Sequence, residues 1–184
     1  MARKTLIVNG SPRVNGDTAA LISELRRNLH GEVVELSAFR SKIAPCVDCR
    51  SCWETAKCAV HDEMQVIYND DFDNVVLATP VYYMTLPGQV LSLMSRFQPQ
   101  HAARFFLNKP IELRPKRAGL ILTAGGKGND AGAEHHVRVF FHMLNAKGFE
   151  EHTVKSVQTD TVPASRDEAA LAGVRELARW LEAD

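Results

Sequence analysis

The stretch Thr5-Leu6-Ile7-Val8-Asn9-Gly10-Ser11-Pro12-Arg13-Val14-Asn15-Gly16-Asp17-Thr18 decides the fold. Its first half is a short apolar run, the pattern of a strand buried on both faces. Its second half is small, polar and glycine-containing. It leads directly into Leu21, Ile22, Leu25 and Leu29, which recur at helical spacing. A buried strand, a tight loop and an amphipathic helix, in that order, open a parallel sheet.

The same alternation continues along the chain. Strands are expected at Thr5 to Asn9, Glu32 to Leu36, Asn74 to Thr79, Ala118 to Thr123 and Glu151 to Val157. Val90, Leu91, Met94 and Phe97 mark a second helix face, and Val137, Phe140, Phe141 and Leu144 a third, closed by Gly148. Ser165 and Glu168 have the spacing of a capping box ahead of Leu171, Val174, Leu177 and Leu181. A further helical stretch is expected around His61 to Asp71, and Asn108 to Arg117 is expected to be a long surface loop. Right-handed crossovers leave few ways to wind five such strands. The simplest is a flavodoxin-like, doubly wound five-stranded parallel sheet of order 2-1-3-4-5 in an α/β/α sandwich; a Rossmann order is the alternative.

At 184 residues the chain has the size of one domain, expected to span 1–184. Lys plus Arg equals Asp plus Glu at 22 each, so charge gives no case for nucleic acid or an anionic membrane. The first apolar run is too short for a signal segment or a membrane span, and a cytoplasmic location is expected.

In a parallel sheet, every loop from a strand to the following helix leaves the same, C-terminal edge. The first of these offers hydroxyl and amide donors, a forked cation at Arg13 and a helix N-terminus, a combination suited to phosphate. An ordinary turn capped by Asp17 or Thr18 is the plainer reading. Gly-Ser-Pro-Arg-x-x-Gly-x-Thr at this place resembles the phosphate loop of NAD(P)H-dependent FMN reductases. That family usually has Asn where this chain has Asp17. Thr79-Pro80-Val81-Tyr82-Tyr83-Met84 is similar to the stretch that passes beside the isoalloxazine ring in the same family, and Thr123-Ala124-Gly125-Gly126-Lys127-Gly128 matches its third flavin loop. Core or dimer packing is the plainer reading for Tyr82 and Tyr83. The resemblance runs from Leu6 to about Gly128. It lapses at Leu91-Ser92-Leu93-Met94-Ser95-Arg96, where only the Arg of a Lys- and Asp-containing family pattern persists.

The resemblance implies bound FMN, with Ser11, Arg13, Asn15, Gly16, Asp17 and Thr18 at the phosphate. Pro80, Val81, Tyr82, Tyr83, Met84, Ala124, Gly125 and Gly126 would frame the ring. No catalytic side chain is implied.

Cys46, Cys49, Cys52 and Cys58 are crowded after the second strand. In a reducing compartment such grouping suggests metal or redox chemistry. The spacing resembles that of iron-sulfur flavoproteins, which carry a 4Fe-4S cluster beside FMN; zinc, a labile disulfide or inert thiols are the alternatives. Sharing the loop edge, the cysteines are expected on the flavin's side of the sheet. The seven His show no chelating i, i+4 pair, and Asn69-Asp70-Asp71-Phe72-Asp73 is expected to be a solvated helix end.

The function expected from these loops is electron transfer from NAD(P)H through FMN to a small acceptor such as a quinone or flavin, in a homodimer or homotetramer. An electron carrier that docks to redox partner proteins, without a nicotinamide site of its own, is the second reading. A scaffold without flavin is the third.

Overall fold

A computed structural model describes residues 3–183; Met1, Ala2 and Asp184, the ends of the sequence, lie outside the described residues. The parallel sheet comprises β1 (Thr5–Asn9), β2 (Val33–Ser37), β3 (Asn74–Pro80), β4 (Lys116–Ala124), the two-residue β5 (Ala146–Lys147) and β6 (Thr153–Val157). β2 and β3 flank β1, β4 lies beyond β3, and both β5 and β6 pair with β4. The five expected strands therefore stand in the expected order, with β6 as the fifth. β5 is an addition: it pairs with Lys116 and Arg117 at the start of β4, while β6 takes over from Leu120.

Alternate strand residues face opposite helix layers. Leu6, Val8, Val75, Leu77, Leu120 and Leu122 join one buried cluster; Ile7, Val76, Ala78 and Ile121 join the other. Against the second face pack α1 (Asp17–Asn28) and α7 (Glu168–Glu182). Against the first pack α3 (Gln65–Tyr68), α4 (Gly88–Met94) and α6 (Ala131–Met143). α2 (Cys52–Thr55) and α5 (Gln98–Phe105) lie near each other on the outside of that layer. No described helix is long and apolar enough to cross a membrane.

Four local expectations are corrected. The helix expected over His61 to Asp71 is reduced to Gln65–Tyr68, because Asp62 is engaged elsewhere and Asp70 adopts φ 53°. The acidic run that follows α3 is not simply solvated. Asp70 pairs with the fully buried ammonium of Lys116, and Asp71 with Lys4. α7 is capped by Asp167, which accepts the Ala170 N–H at 3.0 Å, not by Ser165, which lies in a preceding 3-10 turn. α6 stops at Met143, ahead of Gly148, because Asn145 turns the chain at φ 51° into β5.

Candidate functional site

Gly10 carries the chain off β1 so closely beside β3 and α4 that a Cβ there would lie 2.5 Å from Thr79 Oγ1 and 2.7 Å from Val90 Cγ2. Only glycine fits without displacing both. The loop then folds on its own polar groups. Asn9 Oδ1 accepts the Ser11 N–H at 2.9 Å, and Ser11 Oγ accepts the Arg13 N–H at 3.2 Å. No side chain caps α1, whose N-cap is Gly16. An uncapped helix start leaves its first N–H groups free to meet an anion.

Both oxygens of the Asp17 carboxylate are engaged. Its Oδ1 accepts the Ala164 N–H at 3.0 Å and its Oδ2 pairs with Arg13 at 3.3 Å. The carboxylate is thereby anchored toward the turn before α7. It does not cap α1. Arg13 keeps 66% of its side chain exposed, and Asn15 is exposed as well.

Three loops meet at this edge. Thr18 Oγ1 and Thr123 Oγ1, both buried, are 2.8 Å apart, and Val81 N donates to Thr123 O at 2.9 Å. The middle loop is a tight turn in which the Tyr82 and Thr85 amides and carbonyls bond reciprocally at 2.9 and 3.0 Å. Its two central residues, Tyr83 at φ 48° and Met84 at φ 64°, are left-handed, as a type I′ turn requires. Asn-Gly favours such a turn; Tyr-Met is strained there, and strain of this kind gathers at functional sites. Tyr83 is 99% exposed, so it has no packing role within the chain. Tyr82 and Met84 are exposed too, while Pro80 is buried in β3.

Residues that sequence reasoning missed join the third loop. Gln158 N donates to Gly126 O at 2.7 Å and Thr159 N to Ala124 O at 3.0 Å. A Cβ on Gly125 would meet Asp160 Oδ2 at 2.4 Å. The loop after β6 thus backs Ala124, Gly125 and Gly126. Arg40 is the other omission: its Nη1 donates to Ser11 O at 3.4 Å, bringing a second guanidinium to the loop after β1. The position of the segment after β2, on the same sheet edge, was the available signal.

The four cysteines, all free, line a single cavity of about 30 Å³. Cys52 is buried and the others are partly or fully accessible. Burial, and then the neighbouring Cys46, Cys49 and Cys58, push the Cys52 thiol above its ordinary value. Among the described residues no three His, Cys, Asp or Glu side chains close on a point where a metal ion could be held. A donor set of four thiols suits an iron-sulfur cluster or tetrahedral zinc.

The expected neighbourhood of these thiols is corrected. The segment leaves β2 beside the loop after β1, where Ala38 N donates to Asn9 O at 2.9 Å. By Cys46 it has reached Ser95, whose Oγ accepts the Cys46 N–H at 3.0 Å, beyond the far end of α4 from its start at Gly88. The rest of the cavity wall includes Arg96, Gln98 and Pro99, and no residue of the three flavin-type loops lines it. Backbone packing along α4 has carried the cysteines away from the edge at which their strand ends.

The family model described as NADPH-dependent FMN reductase matches residues 3–159. Two iron-sulfur flavoproteins of Methanocaldococcus jannaschii are 29% identical over 136 residues and 30% identical over 149 residues, covering 71% and 77% of this chain. The chain spans 66% and 72% of the length of these relatives. A solved FMN-dependent NADH-azoreductase of Bacillus anthracis, in complex with FMN, superposes with a TM-score of 0.68 at 17% identity, covering 98% of this chain and 100% of its own. At that identity the likeness shows the fold.

Proposed function

The chain belongs to the NADPH-dependent FMN reductase family, and from that membership we propose that it binds FMN at the edge formed by the loops after β1, β3 and β4 and passes electrons from NAD(P)H to a small acceptor. The observation that carries this reading is the buried Thr18–Thr123 bond, which holds the uncapped start of α1 against the glycine-rich end of β4.

In this reading Ser11, Arg13, Asn15, Gly16 and Thr18 surround the phosphate, with the α1 dipole contributing and Asp17 turned aside. Pro80, Val81, Tyr82, Tyr83 and Met84 lie along one side of the flavin, and Ala124, Gly125 and Gly126 approach it with bare backbone. When bound, FMN supplies hydride acceptance and the release of electrons. The protein's own part is to bind, orient and limit water at the ring. Backbone amides of the second and third loops are donors suited to the ring's polar edge, while Tyr82 and Met84 offer apolar cover. No side chain need act as acid or base.

The cysteines carry a second element of the proposal: Cys46, Cys49, Cys52 and Cys58 hold a 4Fe-4S cluster. Four free thiols on one cavity, and relatives named as iron-sulfur flavoproteins, support it. A carrier that docks to redox proteins without using NAD(P)H is the competing reading, favoured by the same cavity. We further read the chain as one FMN-binding domain, cytoplasmic, and assembling as a homodimer or homotetramer. The wholly exposed Tyr83 at the flavin loop supports a subunit contact there.

The test is anaerobic purification, an absorption spectrum, and then stopped-flow mixing with NADH and NADPH. The reductase reading expects bleaching of the flavin band by one of the two nucleotides, faster than turnover with a quinone. If dithionite bleaches the flavin and neither nucleotide does, the carrier reading replaces it.

A further inference from the structure

The cysteine segment is a loop whose two stems are fastened to a single side chain. Arg96, 1% exposed, donates from Nη1 to Ala44 O at 2.7 Å and from Nη2 to Val60 O at 3.1 Å. Ala44 stands two residues before Cys46, and Val60 two residues after Cys58. Asp62 completes the clasp. Its Oδ2 accepts from Arg96 Nη1 at 2.7 Å and from the Ala44 N–H at 3.0 Å, while Oδ1 accepts from Nη2 at 3.3 Å. From the other side, Tyr68 Oη donates to Arg96 O at 2.7 Å and its ring lies 6.0 Å from the guanidinium carbon.

Such a residue is costly to bury. A guanidinium taken from water needs its donors satisfied and its charge paired. Four of these needs are met by the loop stems and Asp62, but Arg96 Nε has no acceptor. Arg96 also lines the same cavity as the four thiols. A buried N–H without a partner, on the wall of a cavity that four thiols also line, is what a thiolate-ligated centre would satisfy. Lysine has no substitute for the fork, since one ammonium on a flexible stem cannot span two stems and a carboxylate in a fixed plane.

We propose that Arg96 is the positioning residue of the four-cysteine loop, its guanidinium joining the stems on either side of Cys46 and Cys58 so that the thiols face one cavity before any metal arrives. The inference deepens the cluster reading and rests on it only for the final step, metal uptake. Ser95 assists from the same turn by accepting the Cys46 N–H.

The test uses the full, FMN-loaded chain as wild type, Arg96→Lys and Ser95→Ala. Amide exchange is measured anaerobically on the metal-free thiol form, and iron is counted after reconstitution with ferrous iron and sulfide. Arg96→Lys is expected to speed exchange across residues 44–60 by about tenfold or more, leaving β1, β3 and flavin content unchanged. Iron is expected to fall from about four per chain to below about one. Ser95→Ala shifts both in the same direction by less, and carries the test if Arg96→Lys does not fold. Unchanged exchange across 44–60 in the lysine variant overturns the proposal. So does a loss of flavin and sheet protection in step with the loop, which would make Arg96 a general core residue. If wild type itself takes up no iron, the cluster reading fails alone, and the exchange data still decide the role of Arg96.

Discussion

The hydroxyl oxygens of Thr18 and Thr123 lie 2.8 Å apart in a buried bond that ties the first turn of α1 to the end of β4. Thr18→Val leaves Thr123 without its partner. An orphaned buried hydroxyl costs about 1–3 kcal/mol, whereas removing both polar partners is close to neutral. Urea unfolding should therefore show Thr18→Val as the less stable protein and the Thr18→Val, Thr123→Val double variant as largely restored. Equal losses in the two would mean that packing, not the bond, is what matters.

Arg13 and Asp17 make opposite predictions. Arg13→Ala should weaken FMN binding by about tenfold, the scale of one exposed charge-assisted bond. Asp17→Asn keeps an acceptor for the Ala164 N–H, removes a negative charge near the phosphate and frees Arg13. It should tighten FMN by about threefold at low ionic strength, and the gain should shrink as salt screens it. Fluorescence titration of apoprotein at two salt concentrations checks both. An unchanged affinity in Arg13→Ala removes that side chain from the site.

The turn at Tyr83 and Met84 is held at a cost. A left-handed residue with a Cβ loses on the order of 1 kcal/mol relative to glycine. Met84→Gly should accordingly raise the unfolding free energy by about that amount while reducing flavin retention, because the apolar cover over the ring is gone. Thermal unfolding and flavin content after gel filtration measure the two effects. A variant that loses stability would show that Met84 packs in a way its 52% exposure does not suggest.

Glu24 links α1 to α7 through Arg175, at 3.0 Å, and to Arg27 on its own helix. The bond from Arg27, and then that from Arg175, hold its carboxyl below the ordinary value of 4.5 against the opposing effect of burial. A carboxylate with a lowered folded pKa adds stability above its unfolded value, and that stability is lost as pH falls through the folded one. Glu24→Gln should therefore be less stable than wild type at pH 7, with the gap closing below about pH 4. Denaturant melts at pH 7 and pH 3 give the comparison, and a gap that persists at pH 3 would point to lost side-chain packing.

How much was legible depended on whether a signal was local. The Leu21, Ile22, Leu25 and Leu29 face and the buried runs of β1, β3 and β4 follow from period and composition, because burial on one or both faces imposes that pattern on any chain that adopts it. β5 was invisible. Two residues carry no period, and their pairing exists only because β4 begins early enough, at Lys116, to meet them. The cap falls on Asp167 and not on Ser165 because Ser165 is taken up in the 3-10 turn Ala164–Arg166, which delays the helix start by two residues.

The sequence by itself determined the strand order's family of solutions, the three loops with small and hydroxyl residues, and the presence of four thiols in one short segment. Each is a matter of residue type and spacing, which the chain carries wherever it folds. Only the tertiary structure decided where charge and sulfur came to rest. Asp17 turns toward Ala164, the loop after β6 comes to back Gly125, and the cysteines gather beside Arg96 at the far end of α4. These placements depend on groups distant in sequence that compete for the same buried donors and acceptors. The burial of Arg96 sets the cysteine loop's position: a guanidinium removed from water must find carbonyls and a carboxylate, and the stems of that loop supply them.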